Sequence, residues 1–328
     1  MRVLVPGGAG YIGSHTCKAL AQSGHTPIVY DNLRTGHRWA VKWGTFEPGD
    51  INDSATLTAA MRRHRPDAVI NFAALAYVGE SNSEPTLYYR NNVAGILTLI
   101  ETMHANDVGS IVFSSSCATY GVPASVPIVE TQPQEPINPY GRSKLMGEMI
   151  LRGACAAHGL GAVALRYFNA AGADAEGETG EEHDPETHLI PLVLQAAAEL
   201  RPNITVFGDN YDTQDGTCIR DYVHVTDLAS AHVAALSVCE PGRFAAYNLG
   251  TGRGSSINEV IGQARENTGK RIAVTTAARR AGDPPALVAD ASLARTALKW
   301  SPVHSDPGNI IQTAWLWMTD HRKRVIGS

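Results

Sequence analysis

Five cysteines are scattered over 328 residues (Cys17, Cys117, Cys155, Cys218 and Cys239), and no two form a Cys-x-x-Cys pair. An odd, widely spaced set argues against a disulfide framework or a zinc knuckle. Long apolar runs are missing as well. None approaches the roughly eighteen residues of a membrane span, and the apolar stretch at the N-terminus is too short for a signal peptide, so the expectation is a cytoplasmic chain with no membrane partner. Positive charge is not in excess: 27 Lys and Arg face 32 Asp and Glu, a net of -5, the wrong balance for a chain whose work is binding nucleic acid. With 31 Gly and 18 Pro the sequence falls well short of collagen-like or low-complexity composition.

What is present is a rhythm. At roughly 150 residues per domain, the length predicts two lobes. Short apolar runs at Val3–Val5, Pro27–Tyr30, Ala68–Asn71, Ile111–Phe113 and Ala162–Leu165 alternate with helical patterns near 12–23, 54–64, 86–105 and 139–158. This βαβα order predicts an α/β fold, a doubly wound parallel sheet with helices on both faces, and burial on both faces explains strands that are almost wholly apolar. From Gly172 to Pro185 the chain turns rich in Gly, Glu and Asp and reads as an exposed loop. A smaller C-terminal α/β lobe is expected beyond it, with a helix near 188–200, a strand at 204–207, a helix after Thr226, a strand near 245–249 and a helix from Ile257. The expected division is 1–170 and 171–328, with some later segments returning to the first lobe.

The first strand runs straight into Gly7-Gly8-Ala9-Gly10-Tyr11-Ile12-Gly13. Glycines at such a bend let backbone approach a pyrophosphate, whose charge meets the N–H groups and the positive end of the following helix. The second strand ends at Asp31, 21 residues after Gly10, where a carboxylate can accept hydrogen bonds from an adenosine ribose. Together these predict a Rossmann-type dinucleotide site. Asp31 would repel a 2'-phosphate and so favours NAD, while Arg34 and Arg38 keep NADP open.

Asn138-Pro139 is a helix-start signal, an N-cap followed by proline at the first helical position. It sets Tyr140 and Lys144 four residues apart on one helical face. A phenol is a poor base at neutral pH, and the expectation is that the Lys144 ammonium, the helix end and a nicotinamide cation together favour the phenolate. The strand before this helix ends in Ser114-Ser115-Ser116 at the carboxyl edge where ligands of such sheets bind, so Ser116 could hydrogen-bond an oxygen undergoing oxidation. Hydride chemistry on a hydroxyl or ketone follows. His183, Asp184, Glu186 and His188 lie in a polar loop with no recognised ligand spacing, and no metal is expected there.

With these motifs the chain resembles the extended short-chain dehydrogenase/reductase family along nearly its whole length. Further matching runs are Asp31-Asn32-Leu33, Gly49-Asp50-Ile51, Phe72-Ala73-Ala74, Val78-Gly79-Glu80-Ser81, Asn91-Asn92-Val93, Leu165-Arg166-Tyr167-Phe168-Asn169 and Arg220-Asp221-Tyr222-Val223-His224-Val225. The resemblance implies epimerisation at C4 of a UDP-hexose, UDP-glucose to UDP-galactose and back, through a transient 4-keto sugar with NAD held throughout. It implies NAD contacts from Gly7, Gly10, Tyr11, Ile12, Gly13, Asp31, Asn32, Leu33, Arg34, Thr35, Gly36, Asp50, Ile51, Phe72, Ala73, Ala74, Leu75, Ala76, Asn91, Ser116, Tyr140, Lys144 and Phe168. For the UDP-sugar it implies Ser116, Tyr140, Asn169, His188, Leu189, Ile190, Thr205, Val206, Phe207, Arg220, Arg280 through Asp283, and Leu287. Arg220 and Arg280 suit a diphosphate and Phe207 a uracil. A homodimer is implied too.

Three positions depart from the family pattern. Pro6 replaces a threonine before the glycines, Ala76 replaces a lysine near cofactor and substrate, and Leu287 stands where some relatives carry a tyrosine beside the sugar. Alternatives stay open at this point: a 4-epimerase of UDP-glucuronate, UDP-N-acetylglucosamine or a UDP-pentose, a sugar-nucleotide dehydratase, or a non-catalytic NAD-binding regulator. A dehydratase would place Asp-Glu where this chain has Cys117 and Ala118.

Overall fold

The computed structural model describes residues 1–280 and 283–321. Six strands of the first half are Arg2–Pro6 (β1), Thr26–Asp31 (β2), Thr45–Pro48 (β3), Ala68–Asn71 (β4), Ser110–Ser116 (β5) and Gly161–Tyr167 (β6). Between them run the helices Tyr11–Gln22 (α1), Ser54–His64 (α2), Val78–Ser83 (α3), Pro85–Tyr88 (α4), Gly95–Ala105 (α5) and Pro139–His158 (α6). The later strands are Asn169–Ala171 (β7), Ile204–Phe207 (β8), Ile219–Arg220 (β9), Tyr222–His224 (β10), Phe244–Leu249 (β11), Ser255–Ser256 (β12), Val274–Ala277 (β13) and Ala286–Leu287 (β14). Their helices are Leu189–Ala197 (α7), Val225–Ala235 (α8), Ile257–Thr268 (α9), Ser292–Ala297 (α10) and Pro307–Leu316 (α11).

One seven-stranded sheet, ordered β11-β6-β5-β4-β1-β2-β3 and parallel throughout, organises the molecule. Its order reverses between β1 and β4, and at that switch point the carboxyl ends of neighbouring strands splay into a crevice. Val3, Val5, Val29, Ile70, Val112 and Val163 face one helical layer containing α1 and α8, while Leu4, Ile28, Val69 and Ile111 face the other, containing α2 and α5. The α/β class and the parallel sheet are as expected. The last strand comes from residues 244–249, paired with β6 in register from Phe244↔Ala162 to Leu249↔Tyr167.

A third apolar cluster, built from Ile190, Val193, Leu194, Val206, Val260, Ile261 and Ile310, forms the smaller C-terminal lobe. Two features differ from expectation. The helix expected at 86–105 is broken by a π-helical turn over Tyr89–Ala94, and the 172–185 segment is not simply exposed. Gly172, Ala173, Thr179 and Gly180 are buried: Thr179 meets the Ser14 hydroxyl of α1 (2.7 Å), and Lys18 reaches Asp174 (2.8 Å), so α1 ties this acidic stretch down. Among the described residues no helix is long and apolar enough to cross a membrane.

Candidate active site

The glycine-rich turn leaves β1 at Gly7, whose φ of +77° is left-handed and whose missing Cβ would stand 2.6 Å from Ala73 N. Only glycine meets both conditions. This packs the turn onto the end of β4 and brings Phe72, Ala73, Ala74 and Leu75 alongside it. Gly10 begins α1 without any side-chain cap, and a Cβ there would meet no protein atom closer than Gly7 O at 3.3 Å. A side chain there would crowd the turn, and the helix end it leaves uncapped is what a pyrophosphate requires. Pro6 ends β1 with its carbonyl still accepting from Phe72 N (2.8 Å). Asp31 lies at the tip of β2, buried, its carboxylate accepting from Ala9 N (3.0 Å) and Leu33 N (2.8 Å). Asn32 donates to Asp50 (2.8 Å), joining the next loop to the same rim, where Arg34, Thr35, Gly36 and Ile51 follow. Ala76 is exposed.

Asn138 caps α6 by accepting from Gly141 N (2.8 Å), with Pro139 in the first turn and Gly159 in a left-handed C-cap. Gly141 is held by its surroundings: a Cβ would stand 2.4 Å from Ala118 O. That close approach draws α6 against the turn after β5, so Tyr140 and Ser116 meet. Ser116 caps this turn by accepting from Ala118 N (3.1 Å), and its hydroxyl is near enough to the Tyr140 phenol to draw its pKa down. Lys144 is almost fully buried, and its Nζ donates to Ser114 O (2.8 Å), 5.8 Å from the Tyr140 ring centroid.

Burial pushes the Tyr140 phenol well above its ordinary range, with Tyr167 adding to the push and Ser116 opposing it, while the Lys144 ammonium donates to a carbonyl. Burial also pushes Lys144 down to about 7.

Asn92 was not singled out from sequence, although Asn91 was. Its amide accepts from Leu75 N (2.8 Å) and donates to Leu75 O (3.0 Å) and Ser143 Oγ (2.9 Å), clamping the loop after β4 to the catalytic helix. Asn91 donates to Asn92 (2.9 Å). The available signal was a pair of amides inside an apolar helical run, and the π-helical turn there is what lets one of them reach Leu75. Tyr167 meets Ser114 Oγ (2.6 Å) beneath the site.

On the second lobe, the expected sugar residues fall into two groups. Asn169, Arg220, Leu287 and Phe168 approach through the register of short strands, where Arg220 sits opposite Leu287 and Phe168 packs with Leu287. The Arg220 guanidinium already forms an ion pair with Asp283, and Arg280 lies over the Phe207 ring at 4.1 Å. Ile190 and Val206 turn their side chains into the core, leaving backbone for any ligand, and Thr205 meets Thr275 (3.2 Å). His188, just before Leu189, contacts Glu181. Ala281 and Gly282 lie outside the described residues.

Residues 3–250 match the model of the NAD dependent epimerase/dehydratase family. The chain belongs to that family. Within it, the UDP-glucose 4-epimerase of Rhizobium meliloti is 50% identical over 99% of this chain and 98% of its own. A crystal structure of UDP-glucose 4-epimerase from Brucella ovis in complex with NAD is 55% identical, with a TM-score of 0.93 over 96% of this chain and 97% of that one. The enzyme from Stenotrophomonas maltophila, solved with NAD and formylated UDP-arabinopyranose, is 40% identical with a TM-score of 0.95 over 99% and 100%. These family members share the fold over its full extent, which accords with the extended short-chain dehydrogenase/reductase resemblance of the motifs.

Proposed function

We propose that this chain interconverts UDP-glucose and UDP-galactose by NAD-dependent inversion at C4. The observation that carries the reading is Tyr140 against Ser116, with Lys144 one turn on, at the edge where the glycine turn and Asp31 converge. The epimerases described above support NAD as the cofactor and UDP-sugars as substrates. The residues present fit NAD: the glycine turn and the uncapped α1 end suit a pyrophosphate, and the buried Asp31 a ribose. NAD, when bound, would supply a positive ring and a reversible hydride acceptor for C4, giving back to the opposite face of the ketone the hydride taken from the first. Tyr140 takes the proton from the C4 hydroxyl, and Ser116 hydrogen-bonds that oxygen as it becomes a ketone. After the keto sugar turns about its link to the diphosphate, Tyr140 returns the proton on completion of the opposite stereocentre. Arg220 and Arg280 hold the UDP while the sugar stays loosely gripped, so both faces can be presented.

The 1–170 segment with the returning strand β11 serves as the NAD lobe in this reading, and the rest of 171–328 as the UDP-sugar lobe. The assembly is a cytoplasmic homodimer, checked by sedimentation. Dehydration is disfavoured because Cys117 and Ala118 follow Ser116, and burial pushes the Cys117 thiol up to about 12. Leu287 at the sugar side admits C2 hydroxyl in preference to C2 N-acetyl. The purified enzyme, offered UDP-glucose, UDP-N-acetylglucosamine, UDP-glucuronate and a UDP-pentose, should turn over UDP-glucose best. Failure on UDP-glucose with turnover of UDP-glucuronate would overturn the substrate assignment, and failure on all four the enzymatic one.

A further inference from the structure

Among the described residues, two clusters of ligand-bearing side chains lie outside the catalytic edge. In one, Asp174, Glu176 and Glu178 converge, but Lys18 Nζ already fills the centre at 2.8, 2.5 and 2.7 Å from them, so that cluster is satisfied by an ammonium. In the other, Glu181, His183, Glu186 and His188 bring one ligand atom each within 4.8 Å of all the others, with no lysine or arginine in the cluster. The Glu181 and Glu186 side chains are both more than nine-tenths buried.

His183 Nδ1 is the telling atom. It lies 3.3 Å from Glu181 Oε1 and 3.5 Å from Glu186 Oε2, yet it is buried and makes a hydrogen bond with neither. His188 Nδ1 contacts Glu181 Oε1 and stands 3.9 Å from Glu186 Oε1. Metal–ligand bonds of roughly 2.0–2.1 Å put tetrahedral ligands about 3.3–3.4 Å apart. The two His183 separations match such edges, whereas His188 and Glu181 are in direct hydrogen bond and would have to part to admit an ion between them. The donors are also held in place. Glu186 accepts from Thr187 N (2.7 Å) and His188 N (2.8 Å), Glu181 O accepts from Trp317 Nε1 (3.0 Å), and the edges of Tyr11 and Tyr77 flank the His183 ring.

We propose that Glu181, His183, Glu186 and His188 form a four-coordinate site for a divalent transition metal of the zinc type. Two imidazoles and two carboxylates are a zinc-like donor set, and the two carboxylates neutralise the dication at a site open to solvent on the His188 side. Binding displaces whatever protons the two imidazoles carry, so metal enters as protons leave. The ion would fasten the 181–186 turn to His188 at the start of α7, beside the residues expected to meet the UDP-sugar.

The test uses untagged enzyme with its cofactor, titrated with cobalt(II) and then with zinc. Wild type should bind one equivalent of cobalt with the intense visible bands of tetrahedral geometry, zinc should abolish those bands, and zinc should raise Tm. His183→Gln and Glu186→Gln, each checked for retained NAD and a cooperative melt, should bind at least a hundredfold more weakly and lose the Tm shift. Glu176→Gln, in the lysine-filled cluster, should bind as wild type. No tetrahedral spectrum in the wild type overturns the proposal. So do folded His183 or Glu186 variants that bind normally, or a loss that tracks Glu176.

Discussion

Lys18 and Lys144 are both nearly buried, and they live under opposite electrostatics. Lys18, on α1, is surrounded by Asp174, Glu176 and Glu178, which together outweigh burial and hold its ammonium well above the ordinary range. Lys144, on α6, has a neutral carbonyl for a partner, and burial brings it down to about 7. The acidic stretch neutralises its cation, whereas the catalytic edge leaves its cation uncompensated. A carboxylate beside Lys144 would keep it charged but would also repel a phenolate at Tyr140. Leaving that position without one keeps proton affinity in the site available for the cofactor's charge to adjust.

The largest effect that would break this contrast is at the phenol itself. Tyr140→Phe should cut UDP-sugar interconversion by at least roughly 10³-fold while leaving NAD content and the melt unchanged, since only the proton acceptor is removed. Near-normal turnover would mean the acidic and catalytic lysines differ for some other reason. Lys144→Met should slow turnover about 10- to 100-fold and move the alkaline rise of the pH–rate profile upward. It carries a stability signature too. With a folded pKa near 7 and an unfolded one near 10.5, the unfolded chain binds more protons in between, so Lys144 makes stability rise with pH across that window. Denaturant melts at several pH values should show that slope in the wild type and a flatter one in Lys144→Met.

Asp31→Ala sharpens the contrast from the other sign of charge. Its carboxylate is buried on two backbone N–H groups rather than a cation, and removing it should weaken NAD binding about tenfold and shrink discrimination against NADP. Titration of both cofactors reads this out. The smallest change is expected from Lys18→Met. Glu176 is largely solvated and Glu178 partly so, which leaves the Asp174 pair the most strongly felt of the three, and a loss of about 1–2 kcal/mol in unfolding free energy is expected. Turnover should hardly move.

Much of the first lobe was legible because its signals are local. Asn138-Pro139 and Gly159 mark both ends of α6, and the expected bounds of α2, β4 and β8 coincide with those observed. β3 escaped notice because an edge strand reading Thr-Phe-Glu-Pro, with no buried residue, lacks the apolar run that marked its neighbours. β13 is hidden for the same reason: Val-Thr-Thr-Ala is mostly exposed and gains its identity from pairing with β8. Within the site, the Tyr140, Lys144 and Ser116 types could be read from spacing, but the direction of the phenol's shift could not. That depends on how deeply α6 sinks against β5 and on which acceptor Lys144 finds. Glu181 was passed over although its partners lie within seven residues of it, because their spacing matches no recognised ligand motif and only the local turn brings the four side chains together.

The closing of the main sheet by β11 has a consequence for synthesis of the chain. β6 must wait some eighty residues for the partner that covers its outer edge, along six paired positions. A nascent chain released from the ribosome only as far as residue 170 therefore presents an open strand edge, and α1 still lacks the cover of α8. Such an intermediate can recruit a second copy edge to edge, and this makes translation speed through residues 170–249 a determinant of yield.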